Sequence, residues 1–291
     1  MTKKRDPHTT LDDLIRAARS AGADAADAIL IASVAASVSY RLGRLEELER
    51  AESWDLGLRV FAGERVAFVS STDLSRETLE ELPARALAMA RLAPRDKFAC
   101  LAPADRLARS WPALDLEDPN EPSADALIER ARTIEGAAMA VPGITNSEGG
   151  GASFGRSEIA LATSEGFFGR YAGTSHAIGA AVLAGEGAAM ERDYDSVSAR
   201  HSRELESPED VGRRAGERAV ARLNPRKARS QAVPVIFEPR VASGLLGHFA
   251  GAISGAAIAR GVSFLKDSLA KEVFASGIEI VDDPHRVRGL R

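Results

Sequence analysis

Cysteine is almost absent from the sequence: Cys100 is the single cysteine among 291 residues, so no disulfide can form within the chain. So little cysteine is typical of proteins that fold in a reducing compartment, where disulfides are rare. Residues 1–8 are charged and contain no apolar run, and therefore do not resemble a secretory signal peptide. These observations predict a cytoplasmic protein.

Several common binding functions also lack their sequence signals. The net charge is −4, whereas nucleic-acid-binding domains are usually basic, so we expect no direct contact with nucleic acid. Neither a Gly-x-Gly-x-x-Gly fingerprint nor a Walker A lysine motif is present. The uncharged run at 241–259 is rich in glycine, alanine and serine, which predicts a buried packing helix and no membrane span.

The histidines do not show the spacing of a metal site. A zinc peptidase needs two imidazoles on one helical face and a carboxylate that activates water. Here no two histidines are four residues apart, and none stands next to a glutamate. This spacing argues against a zinc site built from the five histidines, which are His8, His176, His201, His248 and His285.

Other candidate catalytic residues fit structural roles better. The Gly-x-Ser-x-Gly string at 151–155 is followed by a predicted strand, whereas a nucleophile elbow needs a strand before the serine and a helix after it. Cys100 lies in a proline-rich segment without a neighbouring histidine. Asp282 and Asp283 precede a proline and are typical turn formers, and His248 is interpreted as a packed helix histidine.

The order of predicted elements is the same in two parts of the chain. Residues 1–95 and residues 122–224 each read as a helix, a set of antiparallel strands and a second helix. Residues 96–121 show little periodicity, which predicts a linker. We predict an α+β fold with two helix–antiparallel meander–helix units, which we interpret as a structural duplication.

The strand pattern is clearest in the first unit. Apolar runs at 56–62 and 65–69 flank Gly63-Glu64, a two-residue loop that suits a type II′ hairpin. Shorter strands are predicted before this hairpin at 28–31, 38–42 and 45–51.

Residues 230–291 are predicted to be the start of a β-rich C-terminal domain, incomplete because about sixty residues make a small core. A short apolar run at 233–239, bounded by prolines, predicts a buried strand. The helix predicted next, at 241–259, contains four glycines, and each costs about 1 kcal/mol relative to alanine. We therefore expect another backbone to pack closely against Gly244, Gly247, Gly251 and Gly255. A helix at 264–274 and a strand at 278–281 are predicted to follow.

Short motifs occur along the chain in a characteristic order. Gly-Leu-Arg-Val-Phe-Ala-Gly at 57–63 is followed by Phe-Val-Ser-Ser-Thr-Asp-Leu at 68–74. Asn-Ser-Glu-Gly at 146–149 and Thr-Ser-Glu-Gly at 163–166 come next, and Pro-Val-Ile-Phe at 234–237 precedes the glycine-rich helix. From Leu11 onward this order resembles the TldD/PmbA family, also called TldD/TldE.

The resemblance implies a two-subunit, cytoplasmic, zinc-dependent peptidase system, historically described as a modulator of DNA gyrase. It implies that the TldD-type subunit carries a His-Glu-x-x-x-His metal motif on the helix after the apolar strand. The corresponding residues here, 246–251, read Leu-Gly-His-Phe-Ala-Gly, with one histidine and no glutamate. This pattern resembles the PmbA/TldE branch, so we assign no catalytic, cofactor-binding or metal-binding residue in this chain and expect zinc in a TldD-type partner.

The first hypothesis is a PmbA/TldE-type subunit that is not catalytic alone. Its expected partners are a TldD-type catalytic subunit and a peptide or unfolded protein substrate. Because the family's chains continue past an aspartate-proline turn like the one at 282–284, we also expect this chain to be C-terminally truncated.

Two alternatives stay open. The first is a non-proteolytic binding or regulatory protein of the DNA gyrase modulator type, which the absence of catalytic groups favours. The second is an independent enzyme that uses His248 with Asp282 or Asp283.

Overall fold

The structure is a computed structural model that describes residues 6–290. Residues 1–5, which belong to the charged segment considered above, and residue 291 lie outside the described residues. The chain divides into two compact units, one of residues 6–225 with 284–290 and the other of residues 226–283.

The first unit combines helices with antiparallel strands, which confirms the predicted α+β class. A helix, three strands and a second helix follow one another twice along the chain, and residues 93–123, which contain one short 3-10 turn and no other regular element, separate the two sets. The elements are α1 (Pro7–Ser20), β1 (Ala25–Arg41), β2 (Arg44–Phe61), β3 (Val66–Ser71), α2 (Arg76–Leu92), α3 (Ala124–Met139), β4 (Ile144–Thr163), β5 (Phe168–Ala184), β6 (Glu191–Ala199) and α4 (Pro208–Ala221). A common origin of the two halves stays a prediction.

One sheet joins both halves. Its strands lie in the order β3-β2-β1-β4-β5-β6, and every neighbouring pair is antiparallel. The first strands of the two halves, β1 and β4, pair at the centre from Asp27 opposite Thr163 to Tyr40 opposite Gly150. The backbones of the two halves are therefore hydrogen-bonded to each other.

The strands are longer than predicted. β1 joins the predicted strands at 28–31 and 38–42, and β2 joins those at 45–51 and 56–62. The connecting residues in β1 include no glycine, proline, asparagine or aspartate, and pairing with β2 on one side and β4 on the other keeps them extended. The predicted hairpin is present, since Ala62 N–H donates to Arg65 O at 2.9 Å and Gly63 has a φ of +59°.

The turn between β1 and β2 is held by a hydrogen bond to a residue far along the sequence. Leu42 and Gly43 both have positive φ, +48° and +78°, a conformation that costs energy for leucine because its Cβ is crowded. The buried Glu135 of α3 accepts a hydrogen bond from Leu42 N–H at 2.7 Å. A side chain on a later helix thus holds the tip of the first hairpin.

The even-numbered residues of β1 and β4 face the helices. Ala28 and Ala160 belong to a cluster with α1 and α2, whereas Val38 and Ala152 belong to a second cluster with α3 and α4. Because alternate residues of a strand point to opposite faces, each central strand contributes the same face to both clusters. Both hydrophobic cores therefore lie on one side of the sheet.

Two glycines allow α3 and α4 to pack closely. A Cβ on Gly212 would collide with the carbonyl oxygen of Ile134, and a Cβ on Gly216 would lie 2.6 Å from Val141 Cγ2. These glycines are four residues apart on one face of α4, which is the spacing that brings helix backbones together. Close glycine-mediated packing occurs in this unit, at positions for which we did not predict it.

The second unit contains helices α5 (Pro239–Ala252) and α6 (Gly255–Ala259). The helix predicted at 241–259 is therefore interrupted at Ile253 and Ser254. A Cβ on any of the four glycines would meet no atom within 4 Å in the described residues, so the expected close contact is not made there. No helix in the described residues is long and apolar enough to cross a membrane.

Three predicted elements of the second unit are wrong. Residues 233–238 and 278–281 are not strands, and residues 264–274 form turns and no helix. A strand needs a neighbour to satisfy its backbone hydrogen bonds, and the described residues of this unit supply none. Contacts within this unit hold these segments against α5: Ser263 Oγ donates to Ala252 O at 2.6 Å, and the Phe249 and Phe274 rings lie 5.0 Å apart.

We predict that Gly212→Ala lowers the free energy of unfolding. The added methyl group forces α3 and α4 apart, and such overpacking costs about 1–3 kcal/mol, more than the gain of about 1 kcal/mol in helix propensity. Gly136→Ala is the matched control, because Gly136 is helical, exposed and has open space around its Cβ position. Urea unfolding should show the control to be as stable as the wild type or more stable, and equal effects of both substitutions would contradict the packing argument.

Candidate functional site

The position that the resemblance assigns to a metal motif lies on α5. His248 is exposed on this helix and is its only residue with a side chain typical of zinc ligands. The residues three and four positions away, which share its face, are Gly244, Leu245, Gly251 and Ala252. Structural and catalytic zinc sites need at least three nitrogen, sulfur or carboxylate ligands. The residues present on α5 do not fit a zinc ion.

No metal-binding group is found in residues 6–290: no three histidine, cysteine, aspartate or glutamate side chains there lie close enough together to hold a metal ion. Cys100 is exposed. Asp282 and Asp283 lie outside any helix or strand. The absence of catalytic, cofactor-binding and metal-binding residues stays a prediction, because no bound group tests it.

The Gly-x-Ser-x-Gly string lies in the middle of β4. Ser153 is paired with Ser37 of β1 on one side and Ala177 of β5 on the other. A nucleophile elbow places its serine on a sharp turn between a strand and a helix. The strand geometry at Ser153 cannot present the hydroxyl in that way.

A buried polar cluster lies instead where the segment 111–118 meets β5. Its centre is Asp118, whose Oδ2 accepts a hydrogen bond from Ser202 N–H at 2.8 Å and whose Oδ1 accepts two from Asn120 at 3.0 Å. Burial raises the pKa of Asp118, but these hydrogen bonds and the nearby His176 outweigh it and lower the pKa to about 2. Asp118 is therefore ionised at neutral pH.

His176 lies against this carboxylate without solvent contact. Its Nε2 is 3.3 Å from Asp118 Oδ2, but neither ring nitrogen makes an aligned hydrogen bond. Burial lowers the pKa of His176 and the Asp118 charge partly opposes that effect, while Arg130 adds to it. The imidazole is therefore held neutral at pH 7.

Thr174 anchors the segment 111–118 to the edge of β5. Its N–H donates to Leu116 O at 2.9 Å, and its Oγ1 accepts from Asp118 N–H at 2.8 Å and donates to Arg200 O at 2.7 Å. His201 adds a contact of 3.0 Å between its Nε2 and Asp115 O. The segment is therefore fixed to the sheet by both backbone and side-chain bonds.

An open cleft of 490 Å³ lies beside this cluster. It is lined by Asp115, Glu117, Asp118, Pro119, Asn120, His201, Ser202 and Arg203. Each of its three carboxylates already has a partner in the chain: Asp115 pairs with Arg288, Glu117 with Arg156, and Asp118 with the amides named above. The cluster therefore has a structural role in attaching the segment, and we assign it no catalytic step.

Sequence reasoning did not find this cluster, because residues 96–121 were interpreted as a linker. One signal was available in β5: His176 continues the alternating pattern of Ile178, Ala180 and Val182, which is typical of a strand with one buried face and places the histidine on the core face. The carboxylate that meets it comes from a segment without periodicity, so its position could not be predicted.

Models of one protein family match most of the chain. They describe the PmbA/TldA metallopeptidase domain 1 at residues 26–90, the central domain at 117–223 and the C-terminal domain at 230–291.

Curated relatives align with nearly the whole chain at the level of sequence. The chain is 37% identical over 272 residues to Metalloprotease PmbA of Escherichia coli O157:H7, which covers 93% of this chain and 60% of that protein. It is 34% identical over 277 residues to a Metalloprotease PmbA homolog of Haemophilus influenzae, which covers 95% of this chain and 61% of that protein. The chain thus spans about three fifths of the length of these relatives.

Solved structures share the fold. A protein of Bacteroides thetaiotaomicron, described as a candidate modulator of DNA gyrase, matches with a TM-score of 0.91 at 24% identity, over 98% of this chain and 65% of that one. TldE of Thermococcus kodakarensis matches with a TM-score of 0.70 at 19% identity, over 88% of this chain and 57% of that one. At these identities the likeness concerns the fold.

We predict that the stability of the first unit falls in two steps as the pH is lowered. His176 has a lowered pKa in the folded state, so the unfolded chain takes up its proton first, below about pH 6.5. Asp118 has a folded pKa of about 2, so its contribution is lost as the pH falls from the usual aspartate pKa of 3.8 to that value. One proton changes the free energy of unfolding by at most about 1.4 kcal/mol per pH unit.

The substitution His176→Gln tests whether the loss of stability below about pH 6.5 comes from His176. Urea unfolding between pH 8 and pH 5 should show a smaller loss of stability in this variant than in the wild type, and equal losses would contradict the assignment. A pH titration of the wild type followed by long-range ¹⁵N–¹H NMR gives a direct check, because the His176 ring should take up its proton at a lower pH than a free histidine. Protonation at the same pH as a free histidine, or at a higher one, would be the opposite result.

Proposed function

This chain belongs to the PmbA/TldD metallopeptidase family, and we propose that it acts there as a PmbA/TldE-type subunit without a metal site of its own. In this proposal a TldD-type partner supplies the zinc ion and the peptidase chemistry. The substrates are peptides or unfolded protein segments. Because the chain spans about three fifths of its curated relatives, activity, substrate and partner are all part of the proposal.

The observation that carries the proposal is the composition of α5. Peptide hydrolysis at a zinc ion requires a metal that polarises the carbonyl and lowers the pKa of a bound water. A helix that offers one exposed histidine and no carboxylate within one turn cannot hold that metal. In this proposal the zinc ion is held by another chain, the TldD-type partner.

The second unit offers surface for such a partner. Large apolar side chains are exposed along it, including Leu245 and Leu246 on α5. The glycines of α5 leave open space beside the helix, which permits another backbone to approach closely. Exposed apolar surface of this kind favours burial against another polypeptide.

The proposed location is the cytoplasm. A single exposed cysteine favours a reducing compartment, in which the thiol stays reduced. The acidic net charge supports a protein or peptide partner over nucleic acid.

A non-proteolytic regulatory role is the second candidate function. It is favoured by the same lack of a complete set of zinc ligands on α5 and by the description of the Bacteroides thetaiotaomicron structure as a candidate modulator of DNA gyrase. The two functions differ in whether peptide hydrolysis depends on this chain.

We predict that peptidase activity requires both this chain and a TldD-type chain from the same genome. The chain alone, the TldD-type chain alone and the co-expressed pair would be compared for hydrolysis of an unfolded protein and for zinc content after desalting. Activity should appear in the pair, with zinc in stoichiometric amount to the TldD-type chain. Full activity of the TldD-type chain alone would favour the regulatory function, and tightly bound zinc in this chain alone would contradict the proposal.

The substitution His248→Ala distinguishes the proposed subunit role from the remaining alternative, an enzyme that uses this histidine. The substitution lies on an exposed helix face and removes the one imidazole of α5. We expect the zinc content and the activity of the pair to be unchanged, because the proposal gives His248 no part in the chemistry. Loss of zinc with the pair still assembled on a sizing column would show that His248 is a ligand.

A further inference from the structure

The two halves of the sheet leave comparable strand edges beyond their outermost strands. β3 pairs with β2 only along Leu56–Phe61, and β6 pairs with β5 only along His176–Ala184. The N-terminal part of each long strand therefore extends past its outer neighbour. In β2 this part is 44–55, and in β5 it is 168–175.

The edge of β5 is covered by the chain itself. Thr174 N–H donates to Leu116 O at 2.9 Å, and a Cβ on Gly173 would lie 3.6 Å from the same oxygen. Trp111 approaches Phe167 at the start of the strand, with 6.3 Å between ring centroids. The extended segment 111–118 thus runs along this edge and buries Gly173 and Thr174.

The equivalent edge of β2 is bare. Within residues 6–290, no strand pairs with 44–55 on the side away from β1, and no other backbone hydrogen bond is made by 44–53. All ten residues of this stretch are exposed, among them Leu45 and Leu48. An antiparallel strand directs the N–H and C=O groups of alternate residues to each side, so half of these groups face outward and are available to a further strand.

The charge of this edge selects the partner. Residues 44–53 contain two arginines and four glutamates, a net charge of −2. Arg50 is already paired with Glu52 at 3.1 Å and Glu121 at 3.0 Å. Glu47 and Glu49 make no ion pair with any described residue, and they flank the exposed Leu48. Because alternate residues of a strand point to opposite faces, the two unpaired carboxylates lie on one face and Leu48 on the other, which favours a partner strand in which lysine or arginine alternates with apolar residues.

We infer that the outer edge of β2 at residues 44–53 binds an extended, basic segment of another polypeptide by strand addition. Main-chain hydrogen bonds supply the attachment, as in other strand-addition complexes, and Glu47 and Glu49 supply the preference for positive charge. A second copy of this edge would bring like charge against like charge, which disfavours self-pairing. The inference rests on the first unit alone and does not depend on the proposed subunit role.

The test uses the full chain and a fluorescently labelled peptide of about ten residues in which lysine alternates with valine, long enough to span the edge. Fluorescence anisotropy should show saturable binding by the wild type. A peptide with glutamate in place of lysine should bind much more weakly, and a lysine peptide N-methylated at alternate residues should not bind, because it lacks the amide donors of one edge. Equal binding of the N-methylated peptide, or no binding of the lysine peptide, would overturn the inference.

Variants locate the site. Glu47→Lys with Glu49→Lys should weaken binding of the lysine peptide about tenfold, since two attractive charge pairs become repulsive. Glu81→Lys with Glu165→Lys is the matched control, because it makes the same charge change at exposed glutamates far along the chain from β2. Equal effects of the two double variants would count against the edge.

Hydrogen exchange of the wild type gives a measurement that needs no variant. The lysine peptide should slow exchange of alternate amides within 44–53. Protection confined to other segments, such as β6, would place the peptide elsewhere and overturn the inference.

Discussion

The antiparallel pairing of β1 with β4 is the constraint on which the first unit depends. Where these strands pair, the even-numbered residues of both point to the same side of the sheet. Ala28 and Val38 therefore belong to two different hydrophobic clusters although they lie on one strand. Neither cluster is complete without the other half, because each contains residues from both β1 and β4. The pairing also sets where the sheet ends, and hence which strand edges are covered by the chain and which are open.

Much of this fold could be predicted from local pattern. The hairpin at Gly63-Glu64 was predicted because its loop chemistry and both flanking runs are local signals. The fusion of 28–31 with 38–42 was missed because five of the six residues between them are alanine or serine, which do not favour a strand, and pairing partners on both sides decide their conformation. The apolar run at 233–239 was wrongly predicted as a strand for the opposite reason: its composition favours a strand, but no partner strand is present in the described residues of its unit.

The candidate sites divide in the same way. The lack of ligands around His248 is a property of one helix and could be recognised from spacing alone. The contact between His176 and Asp118 joins residues from a strand and from a segment without periodicity, and only the folded chain shows it. Glycine packing shows the same difference between a local signal and a contact in the folded chain. Close backbone packing was predicted at the four glycines of α5 because of their spacing, whereas Gly212 and Gly216 make such a contact because Ile134 and Val141 lie opposite them.

The hydrogen bond from Leu42 to Glu135 has a consequence for the order of events during synthesis. The two residues are 93 positions apart, and a ribosome adds about 5–20 residues each second, so the carboxylate follows the turn by about 5–20 s. A hairpin closes within about 1–10 μs, long before that. The nascent β1–β2 hairpin must therefore wait with a strained, unanchored tip and without β4 beside it. During that interval repulsion between the glutamates along β2 disfavours pairing of this edge with the same edge of a neighbouring nascent chain.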